Sequence, residues 1–173
     1  MFDEKIVKKA IKGNDKAFII LMNQCKEQIY RAAFAYVKEE EAALDIVQEV
    51  VCKAYKSIEN LREPKFFNTW IMRIAINVAT DFYNKKSKVV CMEKEELLSK
   101  IDAKYDDNDE RLFLMESLDK LDEKYKKIIV LKYFDDLTFK DIAEILEMPE
   151  NTVKTNLYKG LSILRNDMKK ELI

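Results

Sequence analysis

The chain has 173 residues, with 31 Lys and Arg side chains against 32 Asp and Glu, so its net charge is -1. It has no histidine and only two glycines. These counts exclude Ser-His-Asp and Cys-His relays, histidine-bearing metal sites and Gly-rich phosphate loops. Because Gly and Pro are scarce, a strand-rich fold with many tight turns is also disfavoured. The composition predicts an all-α protein that binds a partner, is not an enzyme, and uses no cofactor or metal.

The cysteines and the N-terminus predict a cytoplasmic location. Cys25, Cys52 and Cys91 are far apart and form no CxxC pair, so we expect buried, unreactive thiols in a reducing compartment. No apolar run approaches the roughly 18 residues that span a membrane. The N-terminal stretch MFDEKIVKKAIKGNDK is charged throughout, which is not the pattern of a secretory signal.

Charge divides the chain into three parts. The net charge is +4 over residues 1–88, -4 over residues 89–115 and -1 over residues 116–173. The middle part contains DAKYDDNDER, a polar stretch without helical apolar spacing, and is predicted to be a flexible linker. We therefore expect two small helical domains, 1–88 and 116–173, joined by the acidic linker 89–115.

Apolar residues spaced by three and four predict four helices in the first domain, at 4–11, 16–37, 40–59 and 69–84. Asp15 is predicted to cap the second helix, and Asn68 or Thr69 the fourth. Pro64 lacks an amide donor and biases the preceding residue away from helical conformations. The stretch NLREPKFF between the third and fourth helices is therefore predicted to be irregular.

The second domain is predicted to contain helices at 110–120, 122–134, 138–146 and 150–168. Asp135 and Asp136 interrupt the apolar pattern, and Thr138 with Asp141 forms a variant capping box. The turn Glu147-Met148-Pro149 joins the last two helices. Two helices joined by about three residues, the second of them amphipathic and basic, are typical of a helix-turn-helix.

The last predicted helix separates an apolar face from a basic face. The residues expected in the core fall within about an 80° sector, and they are Val153, Leu157, Leu161, Leu164 and Met168. Residues 152–170 hold five basic side chains and one acidic one. Lys and Arg neutralise phosphates, and Thr, Asn and Lys reach base edges in a major groove. The alternative is an ordinary solvated helix face.

Two features of the first domain are also candidates. Helix 69–84 places Trp70 near Arg73 and Asn77, which suits unstacked bases and a single-stranded backbone, although the aromatic side chains could simply be core. Asp45, Gln48 and Glu49 stand at i, i+3 and i+4 and form one polar patch. Paired carboxylates can perform acid-base chemistry or bind metal, but no nucleophile is near, so a protein-binding patch or a solvated face is favoured.

Three stretches together resemble the sigma factors of the extracytoplasmic-function group (group IV of the sigma-70 family). They are DIVQEVVCKAY at 45–55, FNTWIMRIAINVATDF at 67–82 and LDKLDEKYKKIIVLKYFDDLTFKDIAEILEMPENTVKTNLYKGLSILR at 118–165. The resemblance covers both domains and most of the chain. It implies an alternative sigma factor that directs bacterial RNA polymerase to promoters in an envelope-stress response. The implied partners are the polymerase core, promoter DNA and a membrane-associated anti-sigma factor.

The resemblance also implies roles for particular residues. The polymerase core would dock on Asp45, Gln48 and Glu49, and the loop Leu61–Phe67 would help to hold a flipped base. The −10 element would be contacted by Arg62, Lys65, Trp70, Arg73 and Asn77. The −35 element would be contacted by Thr152, Lys154, Thr155, Asn156, Tyr158, Lys159 and Arg165.

The sequence departs from the family pattern in places. The family often has a small residue, frequently Gly, where Glu147 stands, and a hydroxyl cap where Pro149 stands. The segment after residue 82 is commonly Arg-rich in the family but is YNKKSK here. Two other functions stay open on the residues alone: a stand-alone helix-turn-helix regulator, and a helical enzyme or metal carrier that uses Asp45 and Glu49.

Overall fold

The computed structural model describes residues 2–93 and 117–171, and this part of the chain contains helices and connecting turns but no strand. The all-α prediction is therefore confirmed for the described residues. The α-helices in these ranges are α1 (Glu4–Ile11), α2 (Asp15–Val37), α3 (Glu40–Ser57), α4 (Phe67–Glu93), α5 (Glu123–Tyr133), α6 (Phe139–Leu146) and α7 (Glu150–Glu171). Two 3₁₀ turns, Ile58–Asn60 and Pro64–Phe66, lie between α3 and α4.

The connection between α1 and α2 depends on Gly13 and Asn14. Gly13 has a φ of +84°, a left-handed conformation that costs glycine little. The Asn14 side chain accepts a hydrogen bond from the Ala17 amide at 2.9 Å and so caps α2. The prediction that Asp15 is the cap was wrong by one residue. Asp15 is the first residue of the helix, and its carboxylate accepts a hydrogen bond from the Tyr55 hydroxyl at 2.9 Å.

Helix α4 is longer than its apolar pattern predicted. It begins at Phe67, and the Thr69 hydroxyl donates to the Phe66 carbonyl at 3.0 Å instead of capping a backbone amide. The helix continues to Glu93 because no glycine or proline interrupts it. Residues 89–93 of the predicted linker are therefore helical, and its remainder, 94–115, lies outside the described residues.

The second domain contains the predicted helix-turn-helix. Asp122 caps α5 by accepting from the Lys124 amide at 3.0 Å. The predicted break follows α5, where Asp136 has a φ of +49°. Thr138 and Asp141 form the predicted capping box at the start of α6. Most of the predicted helix 110–120 lies outside the described residues, but 117–119 are helical.

The core of the first domain forms where α2, α3 and α4 pack on one another and α1 covers α2. The apolar spacing of α2 predicts a buried face, and each of its residues is buried: Phe18, Leu21, Met22, Cys25, Ile29, Ala32, Ala33 and Tyr36. On α4, the pattern predicted a face of six residues. Ile71, Ala75 and Val78 are buried, whereas Trp70, Ile74 and Phe82 are half-buried. The pattern missed Met72 and Ile76, which are buried. Helix α4 contacts α2 and α3 and also α6 of the second domain, so more of its surface is covered than a single apolar stripe.

The core of the second domain forms between α5, α6 and α7. Gly160 of α7 faces α5, where an added Cβ would lie 3.0 Å from Ile129 Cδ1 and 3.1 Å from Tyr125 Cβ. The close approach of these two helices therefore favours a glycine there, since a larger residue would crowd α5. The buried apolar residues of this core are Leu118, Leu121, Ile128, Ile129, Val130, Leu131, Leu137, Ile142, Ile145, Val153, Leu157 and Leu164.

The cysteines differ from one another in exposure. Cys25 is buried, and desolvation raises the pKa of its thiol to about 12, so it is unreactive at neutral pH. Cys52 is exposed on α3, so the prediction that it is buried was wrong. Cys52 is exposed because it lies just outside the apolar stripe of α3. The Cys91 side chain lies outside the described part. Within the described ranges, no helix is both long and apolar enough to cross a membrane.

Candidate nucleic-acid and polymerase interfaces

The last helix, α7, presents the predicted polar face to solvent. Of the five predicted core residues, Val153, Leu157 and Leu164 are buried and Leu161 is half-buried, while the side chain of Met168 lies outside the described residues. The side chains predicted to contact the −35 element lie on the other sides of the helix. Thr152, Thr155, Tyr158, Lys159 and Arg165 are exposed, and Lys154 and Asn156 are half-buried. The predicted separation of the two faces is confirmed, and contact with DNA stays a prediction.

Neighbouring groups orient the N-terminal part of this face. The Lys154 ammonium lies 2.7 Å from the Glu150 carboxylate and 5.4 Å from the centre of the Phe139 ring. The Thr155 hydroxyl donates to the Asn151 carbonyl at 2.9 Å. Tyr158 is 66% exposed. An exposed aromatic side chain beside a lysine can pack on a sugar or a thymine methyl group.

The residues predicted to contact the −10 element are divided between α4 and the loop before it. Arg62 and Lys65 are exposed in the loop, and the Lys65 ammonium lies 4.9 Å from the Phe66 ring centre. Asn77 is exposed on α4. Trp70 is half-buried, with its ring centre 5.8 Å from that of Phe67. Most of the predicted set is therefore accessible to a nucleic acid strand.

A cleft of about 720 Å³ lies beside the loop Leu61–Phe67. Its walls include Lys65 and Asn68, together with Gln24 and Gln28 of α2. Amide side chains can hydrogen-bond to the edges of a base. The two glutamines were not predicted from the sequence. They belong to a helix about 40 residues before the loop, and polar residues on a helix surface do not by themselves indicate a binding site.

A second, shallower depression of about 380 Å³ adjoins Asn77. Lys53 and Lys56 of α3 line it together with Asn77 of α4. Neither lysine was predicted as a site residue, because in the sequence each resembles an ordinary surface lysine. The packing of α3 on α4 places both beside a predicted DNA contact, where they could neutralise phosphates.

The predicted polymerase patch lies on the exposed side of α3. Asp45, Gln48 and Glu49 are all exposed, and the Glu49 carboxylate lies 3.1 Å from the Lys53 ammonium. Leu44 precedes the patch and is 46% exposed. An exposed leucine beside hydrogen-bonding groups is typical of a protein-binding surface, and sequence reasoning missed it.

This patch does not have the composition of a metal site. Nowhere in the described part of the chain do three or more Cys, Asp or Glu side chains come together as possible metal ligands. Asp45 and Glu49 therefore lack a third ligand within the described residues. A carboxylate site for Mg²⁺ or Ca²⁺ needs several oxygen ligands.

Arg73, a predicted −10 residue, is hydrogen-bonded to the second domain. Its Nη1 donates to Glu147 Oε1 at 2.6 Å, and its Nη2 donates to the Glu144 carbonyl. Both partners belong to the end of α6 and the turn that follows it. The guanidinium thus joins the candidate −10 surface to the helix-turn-helix.

Comparisons with known proteins identify the family of the chain. Residues 21–89 match the family model of sigma-70 region 2, and residues 113–164 match that of sigma-70 region 4. The chain is 42% identical to RNA polymerase sigma factor SigV of Bacillus subtilis, covering 92% of this chain and 96% of that protein. It is 31% identical to the ECF RNA polymerase sigma factor SigW of Bacillus subtilis, with 98% of each chain covered.

Solved structures show the same fold. CnrH, solved in complex with the cytosolic domain of CnrY, superposes with a TM-score of 0.75 at 21% identity over 97% of each chain. The sigma factor RpoE of Bartonella quintana, solved with the anti-sigma factor NepR, superposes with a TM-score of 0.69 at 18% identity, covering 89% of this chain and 98% of that one. The chain belongs to the sigma-70 family of RNA polymerase sigma factors, in its extracytoplasmic-function group.

Proposed function

We propose that the chain is an alternative sigma factor in which the first domain, 1–88, opens and holds the −10 strand while the second, 116–173, anchors on the −35 duplex. The single observation that supports this division is the exposed basic face of α7 on the same chain as the exposed Arg62, Lys65 and Asn77. One surface has the form of a major-groove reader and the other that of a single-strand binder.

The proposed roles follow from the chemistry of each surface. Lys159 and Arg165 neutralise phosphates of the −35 duplex, while Thr152, Thr155 and Asn156 reach base edges. Trp70 offers a partly exposed ring on which a base can stack, and the cleft beside Lys65 offers amide groups for a base that has left the stack. In this proposal the first domain opens the strand by binding its bases, and the sigma factor itself catalyses no reaction.

Catalysis belongs to the polymerase in this proposal. The chain docks through Asp45, Gln48 and Glu49, performs no chemistry of its own and needs no cofactor. Its net charge of -1 gives little long-range attraction to DNA. Stable promoter binding therefore requires the polymerase as a second source of contacts.

We further propose control by a membrane-associated anti-sigma factor that responds to envelope stress. The related structures of CnrH and of RpoE from Bartonella quintana were solved with the cytosolic domain of CnrY and with the anti-sigma factor NepR. The sigma factor would work in the cytoplasm, where RNA polymerase acts, and would be held at the membrane face until released.

In vitro transcription tests the proposed function. Purified chain is combined with bacterial core polymerase and fragmented genomic DNA, and transcript starts are mapped. We expect starts that depend on the chain and share sequence elements near −10 and −35. If no start depends on the chain, although a known sigma factor directs the same core polymerase, the proposed function is wrong.

A gel-shift assay separates this function from that of a stand-alone regulator. Duplex DNA from one of the mapped promoters is mixed with the chain, with and without core polymerase. We expect a stable shift only when the polymerase is present. Tight, sequence-specific binding by the chain alone would favour the helix-turn-helix regulator instead.

A further inference from the structure

A cavity of about 430 Å³ lies where the turn between α1 and α2 meets the end of α3. None of the residues predicted from the sequence to bind DNA or polymerase lines it. Its walls combine buried apolar side chains with exposed charged ones. The apolar ones include Ala10, Phe18 and Ile58, and the charged ones are Lys12, Asp15, Lys56 and Glu59. A concave, partly apolar site with a few polar groups is typical of a ligand site.

Tyr55 forms part of the wall and is held at two points. Its hydroxyl donates to the Asp15 carboxylate at 2.9 Å. Its ring meets the Phe18 ring edge-on, with the centres 5.2 Å apart and the planes at 72°. Tyr55 is nevertheless 54% exposed. A fixed aromatic ring that is open to solvent is a surface on which an unstacked base can stack.

The charges around Tyr55 suit a nucleotide better than a simple anion. Lys12, Lys56 and Glu59 are exposed, and none of the three forms an ion pair within the described ranges. The two lysines can neutralise phosphates. Carboxylates repel phosphates but accept hydrogen bonds from the amino groups of bases. Because Asp15 already accepts from Tyr55, Glu59 is the acceptor that remains available.

The cavity continues the candidate −10 surface. Lys56 lines both this cavity and the depression beside Asn77, which Lys53 also lines. A strand that lies along Asn77 therefore reaches Tyr55 by crossing the end of α3 at Lys56. The candidate polymerase patch also lies on α3, but Gln48 is about two helical turns before Tyr55. The lysines and the cavity favour nucleic acid as the occupant, and the polymerase is the alternative that an experiment must separate.

We propose that this cavity binds one unpaired nucleotide of the promoter strand next to the −10 element. The base stacks on Tyr55, and the adjoining phosphates contact Lys12 and Lys56. This inference rests on the proposed function. Glu59 accepts a hydrogen bond from the amino group of the base, so adenine, cytosine or guanine should be bound in preference to thymine. The cavity thus adds one position of base preference outside the −10 contacts.

Two substitutions of Tyr55 separate its ring from its hydrogen bond. Tyr55→Leu keeps apolar volume against Phe18 but removes the ring, whereas Tyr55→Phe keeps the ring and loses the bond to Asp15. Tyr133→Leu is the matched control, because Tyr133 is an exposed tyrosine of the second domain. Circular dichroism spectra that match the parent spectrum show that the variants are folded.

Fluorescence anisotropy tests the site with the chain bound to core polymerase. The probe is a single-stranded oligonucleotide with the −10 sequence of a mapped promoter, and an abasic site is moved along it one position at a time. We expect one position next to the −10 element where loss of the base weakens binding by the parent about fivefold or more. The same loss should have no effect in Tyr55→Leu and the full effect in Tyr55→Phe and Tyr133→Leu.

The outcomes separate this inference from the proposed function. If the parent binds the intact oligonucleotide but no abasic position depends on Tyr55, the inference is overturned while the proposed function stands. If the parent complex does not bind the −10 strand at all, the proposed function is wrong and the inference fails with it. If Tyr55→Leu weakens binding to core polymerase and leaves the abasic pattern unchanged, the cavity belongs to the polymerase interface and the inference is overturned.

Two further measurements test the charged groups. Thymine at the identified position should weaken binding by the parent about threefold, and Glu59→Ala should remove this discrimination. Lys12→Ala should reduce the slope of log affinity against log salt concentration by about 0.7, as expected for one lost phosphate contact on a single strand. Lys26→Ala, an exposed lysine further along α2, should leave the slope unchanged. Unchanged discrimination in Glu59→Ala together with an unchanged slope in Lys12→Ala would overturn the inference.

Discussion

Arg73 and Glu147 are 74 positions apart in the chain, yet the Arg73 guanidinium donates to the Glu147 carboxylate at 2.6 Å. The contact joins the helix that carries the candidate −10 residues to the turn of the helix-turn-helix. Arg73 therefore has two possible partners, the second domain and the promoter strand. Substitutions at this residue should affect promoter opening and polymerase binding differently.

Arg73→Ala should reduce open-complex formation about tenfold, because the base or phosphate contact is lost. Its affinity for core polymerase should not fall, since Arg73 lies on α4 and the candidate docking residues lie on α3. Permanganate footprinting measures opening, and fluorescence anisotropy measures core binding. Arg31→Ala is the matched control: it removes an interdomain hydrogen bond to Phe134 but should leave opening intact. Equal loss in both variants would contradict a specific role for Arg73.

Lys154→Ala combined with Tyr158→Ala should weaken transcription from promoters that depend on a −35 element by about tenfold. The double change removes a cation and an exposed ring from the groove-facing side of α7 without touching its buried face. Single-round transcription on promoters with and without a −35 element measures the effect. Core binding should be unchanged, and a parallel loss of core affinity would argue against the division of labour between the domains.

Asp45→Ala combined with Gln48→Ala should weaken docking on core polymerase about tenfold or more. Both side chains are exposed on α3, while the helix is held by buried residues on its other face. The circular dichroism spectrum and melting temperature should therefore stay close to those of the parent. Glu41→Ala, an exposed acid in the first turn of the same helix, is the control. Undiminished core affinity in the double variant would count against this surface.

Gly160→Ala should lower the free energy of unfolding by about 1 kcal/mol, although alanine is normally the better helix former. The added Cβ would lie 3.1 Å from Tyr125 Cβ, which cannot move without its backbone. Ser162→Ala, at an exposed position of the same helix, should instead stabilise slightly through helix propensity. Urea unfolding followed by circular dichroism compares the two. A stabilised Gly160→Ala variant would mean that α5 and α7 pack less closely.

Asp135 should make stability depend on pH. Its carboxyl group is buried, neither oxygen has a hydrogen-bond partner among the described residues, and desolvation raises its pKa to about 7 despite the nearby Arg31. An unfolded aspartate titrates near pH 4. Between about pH 4 and pH 7 the folded chain holds a proton that the unfolded chain releases, so stability falls as the pH rises through this window.

Asp135→Asn removes this titration. We expect the variant to exceed the parent in free energy of unfolding by roughly 2 kcal/mol at pH 8, and by close to zero at pH 4. Urea unfolding at both values measures the effect, and a stability gain that is the same at pH 4 and pH 8 would contradict the assignment.

The amino-acid sequence determined most of the local structure. Apolar residues spaced by three and four located the helices, because a buried helix face leaves that pattern whatever it packs against. The capping box at Thr138 and the break at Asp136 were also predicted, since caps and turns depend on residues a few positions apart. The resemblance of three ordered stretches to a known family supplied the candidate site residues.

Only the tertiary structure decided how the two halves meet. Lys126 looks in sequence like a surface lysine of α5, yet the rings of Tyr36 and Tyr83 bury it. Met72 and Ile76 lie off the predicted face of α4 and are buried in a helix that contacts α6 as well as α2 and α3. The carboxylate that accepts a hydrogen bond from Arg73 belongs to Glu147 of the second domain. Helical periodicity records which residues are apolar over a few turns, but it carries no information about partners that the fold brings together across the whole chain.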